Sequence, residues 1–146
     1  MNFATLHITS ISNNNLPYAL NGKKSNLIWD FTDAKVRNER RERVLKKLGT
    51  IDFGKPLGHH WNTDTDGLFV NENPDVHINW ILSNFNKDFR LYHLADLGYE
   101  YWFSYCWTGN GSGGGIRITT ELTKILNRHK AYMDLGFYTE SMLSGG

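Results

Sequence analysis

Only one cysteine, Cys106, occurs in the 146 residues, so an internal disulfide is excluded. The opening MNFATLHITS lacks the basic region, apolar run and small-residue cleavage site of a secretory signal. Together these absences predict a protein of the reducing cytoplasm. No apolar stretch approaches the roughly 20 residues needed to cross a bilayer, because Glu, Asn, Lys or Asp interrupts each one, and no membrane partner is expected. An excess of charge of one sign is missing too. The 16 Lys and Arg offset the 15 Asp and Glu to leave +1, so no global field draws the chain to nucleic acid or an anionic membrane. Charge-based recognition must come from local patches.

What the chain does have is aromatic bulk. Seven Tyr, eight Phe and five Trp within a 40% apolar composition argue for a packed core rather than disorder. The length suits one domain, 1–146, with the tail from 139 to 146 expected to fray.

Periodicity places the elements. Over residues 3–9, Phe3, Thr5, His7 and Thr9 alternate with Ala4, Leu6 and Ile8, which is a strand with an apolar inner face. A short helix is expected over 16–20, with Pro17 in its first turn and Asn21-Gly22 closing it. Residues 27–31 read as a strand or a helical turn. Thr32 or Asp33 caps a surface helix through Lys47 or Leu48, with Val36, Val44, Leu45 and Leu48 as a thin stripe and Gly49 as its stop. Residues 50–73 read as loop with one strand at most. Asn73-Pro74-Asp75 opens a helix whose expected buried face is Val76, Trp80, Ile81 and Phe85, and a further helical stretch carrying Leu91, Leu94 and Leu97 ends at Gly98.

Residues 99–108 are the clearest strand, with Tyr99, Tyr101, Phe103, Tyr105 and Trp107 on one side and Glu100, Trp102, Ser104, Cys106 and Thr108 on the other. The stretch GNGSGGG (109–115) predicts a hairpin into an antiparallel strand at 116–119. Thr119 or Thr120 then caps a helix bearing Leu122, Ile125, Leu126 and His129, and residues 131–138 return as a strand by a crossover that leaves two strands parallel. The sum is an α+β domain: a mainly antiparallel sheet with helices on one face, in a ferredoxin-like arrangement.

No pattern assembles into a catalytic or metal site. Gly109, Gly111 and Gly114 spell G-x-G-x-x-G, but the strand expected at 116–119 replaces the helix a dinucleotide fingerprint needs. Asn62-Thr63-Asp64-Thr65-Asp66-Gly67 begins like a calcium loop, yet the closing position falls on Asn73 and Glu72 is one residue early. Hence no metal, cofactor or catalytic residue is assigned. Adjacent His59 and His60 support an alternative, a small hydrolase or nuclease using either of them with Arg117 or a neighbouring acid. The basic run Lys35, Arg37, Arg40, Arg41, Arg43, Lys46 and Lys47 in the 33–48 helix supports another, an RNA-binding module. Asp33, Glu39 and Glu42 dilute that run and no aromatic interleaves, so nucleic acid is the weaker partner.

The second half, with His77 and Trp80 on a helix, Gly98-Tyr99 entering an aromatic strand, a glycine-rich bend, Ile118-Thr119-Thr120-Glu121-Leu122 and a last strand ending at Phe137-Tyr138, resembles the bacterial domain-of-unknown-function family numbered four-two-seven-nine. The resemblance spans about residues 74–138. That family has no established catalytic residues, and its members are similar to proteins found beside polymorphic toxins. The resemblance therefore implies an immunity or antitoxin-type protein whose partner is a protein toxin, such as a nuclease. The loop 59–72 is the expected contact, with Trp61 and Phe69 as anchors and Asp64, Asp66 and Glu72 opposing a basic site.

Overall fold

Alternating apolar and polar side chains form β1 (Asn2–Ser10), the middle strand of a five-stranded sheet in the computed structural model, which describes residues 2–20, 25–70, 73–109 and 116–139. Ala4, Leu6 and Ile8 are fully buried on its inner side, and Phe3 and His7 are half-buried on its outer side. β2 (Asp30–Thr32), β3 (His59–Asp64), β4 (Glu100–Gly109) and β5 (Met133–Thr139) complete the sheet in the order β2-β3-β1-β4-β5. Neighbours run antiparallel except β4 and β5, which are parallel. The architecture is α+β with a mixed, mostly antiparallel sheet, and this strand order does not confirm the ferredoxin-like arrangement.

Register decides which side chains share a face. Leu6 lies opposite Thr63 and Phe103, and Ile8 opposite Trp61 and Tyr101, so these groups meet on the inner side. Against them pack α2 (Pro74–Leu82), α3 (His93–Asp96) and α4 (Thr120–His129), which bury Ile78, Ile81, Leu94, Leu122 and Ile125. Each such side chain contributes about 1.5–3 kcal/mol by leaving water. The helix α1 (Ala34–Lys47) is different. Asp33 caps it by accepting from the Val36 amide, Gly49 ends it at φ +84°, and it buries no residue. Polar side chains fasten it instead: Arg37 donates to Gly58 O at 2.6 Å, Arg41 to Lys55 O at 2.7 Å, and the Asn38 amide brackets the Leu57 backbone.

Four expectations change. Residues 116–119 form no strand, because Thr119 already caps α4 by accepting from the Leu122 amide at 3.1 Å. The outer edge of β4 is taken by β5 through the α4 crossover, so the antiparallel hairpin is replaced by a parallel pair. The α2 face is rotated: Pro74, His77, Ile78 and Ile81 are buried, while Val76 and Trp80 are half-buried. The short helix expected over 16–20 is a 3-10 turn at Tyr18–Leu20. Residues 21–22, 110–115 and 140–146 lie outside the described residues.

His77 can turn inward because Thr65, itself fully buried, shares a hydrogen bond between its hydroxyl and the ring Nδ1 at 2.5 Å and also accepts the Ala4 amide at 2.9 Å. Thr65→Val keeps the shape and removes both bonds. Leaving a buried donor unsatisfied costs about 2 kcal/mol, and a urea titration should show that loss; unchanged stability would mean the hydroxyl is not what holds His77 inside.

Candidate functional site

The expected contact loop begins as β3, which changes its anchors. Trp61 lies opposite Ile8 and Phe31 and is 5% exposed, so its indole belongs to the core and cannot reach a partner. Phe69 is half-buried, with its ring edge-on to His77 at 4.9 Å. Asp64 and Asp66 are exposed, and Asp64 accepts the Asp66 amide at 3.0 Å in a tight turn followed by Gly67 at φ +80°. Glu72 lies outside the described residues.

A surface around those aspartates emerges only in three dimensions. Asp30 pairs with Asn62, so the chain before Asp30 runs beside the chain after Asn62. Between them opens a groove of about 540 Å³ lined by Asn26, Ile28, Asp30, Asp64, Leu68 and Trp80, with Asp66 also at its wall. Ile28 is 84% and Leu68 50% exposed. The groove brings three carboxylates around apolar side chains, and no Lys or Arg among the described residues lines it. Sequence reasoning missed Ile28 and Leu68 as the apolar members because only the β2–β3 pairing brings residue 28 beside residue 68.

The outer side of the sheet carries a second constellation. His7 on β1 is flanked diagonally by His60 on β3 and Ser104 on β4, since its direct partners are Asn62 and Trp102. His7 Nε2 lies 2.8 Å from Ser104 Oγ, and His7 Nδ1 lies 3.0 Å from His60 Nε2. The two imidazoles are nearly parallel, 8° apart with centroids at 5.2 Å, and the Trp102 indole lies parallel to both, with its centroid 4.9 Å from that of His7. Ser104 in turn pairs with Asp134 on β5, so four neighbouring strands each contribute one polar group to a transverse row. Alternation separates His7 from Ala4, Leu6 and Ile8, and Ser104 from Phe103 and Tyr105; the missing signal was the register that makes His7 and Ser104 neighbours.

Burial, then the Arg37 guanidinium, then His7 push the His60 imidazole down to about 4. Burial lowers His7 as well; Asp134 opposes this and Arg37 adds to it. Both rings are therefore neutral near neutral pH, ready to give and accept one hydrogen bond each. His59 is occupied elsewhere, its Nδ1 accepting the Ala34 amide at the start of α1 at 3.1 Å. His129 accepts the Leu91 amide with Nδ1 at 3.1 Å, and burial, with Arg90 and Arg128 beside it, lowers it to about 4. In the basic helix, Arg37 and Arg41 serve as fasteners to backbone carbonyls, which leaves Lys35, Arg40, Arg43, Lys46 and Lys47 exposed. No group of three or more metal-ligating side chains occurs among the described residues. No helix among them is long and apolar enough to cross a membrane.

Compared with protein-family models, curated proteins and solved structures, the chain matches none.

Proposed function

We propose that the chain is a partner-binding protein of the immunity or antitoxin type, acting in the cytoplasm by docking on a cognate protein toxin and covering its active site. The acidic groove carries this reading: Asp30, Asp64 and Asp66 stand around exposed Ile28 and Leu68 on a chain of net charge +1. Apolar anchors within a ring of one charge suit an interface whose centre is desolvated and whose rim steers. The charge complement is a basic surface, such as the phosphate-gripping site of a nuclease. The toxin as partner comes from the sequence resemblance of residues 74–138 to family four-two-seven-nine, which no matching family model supports. Such a role needs complementarity and no chemistry.

The double substitution Asp64→Lys with Asp66→Lys should weaken toxin binding by well over tenfold, about 1.4 kcal/mol or more, and the loss should shrink as salt rises. Asp64→Asn with Asp66→Asn can keep the turn while removing the charge, and separates electrostatics from local misfolding. Calorimetry against the captured partner checks both. Unchanged affinity in the lysine variant would remove this groove from the interface.

A further inference from the structure

The transverse row on the outer face of the sheet has the connectivity of an activated nucleophile. A hydroxyl touches an imidazole nitrogen at 2.8 Å, and the other nitrogen of that ring touches a second imidazole at 3.0 Å. Nucleophile to base, and base to orienter, are the two contacts that convert a weak serine into a reactive one. We propose that Ser104 is a nucleophile toward activated esters, with His7 as its general base and His60 as the residue that positions His7.

The chemistry closes on these groups. Ser104 Oγ–H gives its proton to His7 Nε2 as Oγ bonds to the acyl carbon. The bond from that carbon to the leaving oxygen or sulfur breaks, and the leaving group takes the proton back from His7. Water then repeats the sequence: His7 removes its proton, its oxygen attacks the acyl carbon, the Oγ–carbon bond breaks and the proton returns to Ser104. The net reaction is ester plus water to acid plus alcohol or thiol. The tautomer that serves has His7 Nδ1–H donating to His60 Nε2, and a neutral His60 is the acceptor that role requires. Burial and Arg37 keep His60 neutral to about 4. The parallel Trp102 ring covers the imidazole pair and holds its plane. A positioned base of this kind contributes on the order of 10²–10⁴-fold. That factor suits substrates with good leaving groups, so the substrate class is an aryl ester or a thioester.

The test uses the full chain and p-nitrophenyl acetate, with product release followed by absorbance and acyl adducts mapped by mass spectrometry. Wild-type protein should acquire an acetyl group on Ser104 and turn over. Ser104→Ala and His7→Ala should each lower hydrolysis at least tenfold, and Ser104→Cys should carry the adduct on its thiol, which keeps the test valid if the alanine variant folds poorly. The groups facing His7 are His60, Ser104, Trp102, Asp134 and Arg37. With burial dominant among their effects, the rise of rate with pH should have its midpoint below the ordinary histidine value of 6.5. His60→Leu should lower the rate and move that midpoint further down, because the imidazolium loses its acceptor, and His60→Gln, which offers an oxygen, should restore it. Equal hydrolysis by Ser104→Ala, absence of acyl on Ser104 in the wild type, or an unmoved rate and midpoint in His60→Leu would each overturn the proposal and leave the row a structural element of the sheet.

Discussion

Gly58→Ala is expected to lower the stability of the fold by about 3 kcal/mol, at the upper end of what overpacking a close contact costs. Gly58 is buried where the chain enters β3 beside the end of β1. A β-carbon there would stand 2.5 Å from the Ser10 carbonyl oxygen, 2.6 Å from its carbon and 2.8 Å from the Ile11 nitrogen. All three atoms are backbone, so no side chain can swing away; one strand must shift against the other. The displacement also moves Gly58 O from Arg37, which it holds at 2.6 Å, and so loosens α1. In urea, with a slope of about 2–3 kcal/mol/M, the midpoint should fall by roughly 1 M. A midpoint equal to wild type would mean the strands can part at no expense and that Gly58 is not a contact point.

Acidification should produce an effect of similar size. His60 and His129 stay neutral in the folded chain down to about 4, because burial and neighbouring arginines disfavour their charged forms. In the unfolded chain both titrate near the ordinary 6.5. Between those values the unfolded state binds more protons, so their contribution is fully present above 6.5 and is lost as the pH falls toward 4. Each extra proton is worth about 1.4 kcal/mol per pH unit. After discounting for the partial exposure of the His60 ring, the loss between pH 6.5 and 4.5 should be on the order of 3 kcal/mol, about 10 °C in melting temperature. His129→Gln, which can still accept the Leu91 amide without titrating, should flatten the profile by about half. A melting temperature constant from pH 7 to 4.5 would show that neither ring is held neutral.

The parts of the fold that were legible in the sequence are those specified locally. Alternation marks β1 and β4, Asp33 and Gly49 bracket α1, Asn73-Pro74 opens α2 and Thr119 caps α4. The errors arise where distant partners decide. Residues 116–119 have strand-like composition but sit after β4 has already received β5 and β1 as neighbours. His77 faces inward because of Thr65, twelve residues away, which no helical periodicity encodes. Trp61 resembled an exposed anchor in a polar loop until pairing with Ile8 placed it inside. The same non-local pairing assembled both surfaces discussed above. Asp64 and Asp66 were visible as an acidic turn, yet Asp30, Ile28 and Leu68 join them only through β2. His7, His60 and Ser104 come from three strands separated by long stretches of chain.

Whether the protein neutralises a toxin is decided by capture of the tagged full chain with its bound proteins from its native host, followed by calorimetry and a toxicity assay on the strongest stoichiometric partner. A toxin-blocking protein should give a nanomolar complex with a toxic enzyme, inhibition of that enzyme at equimolar protein, and loss of both in the Asp64→Lys, Asp66→Lys variant. The absence of any tight protein partner, or a partner whose activity the protein leaves untouched, would contradict it.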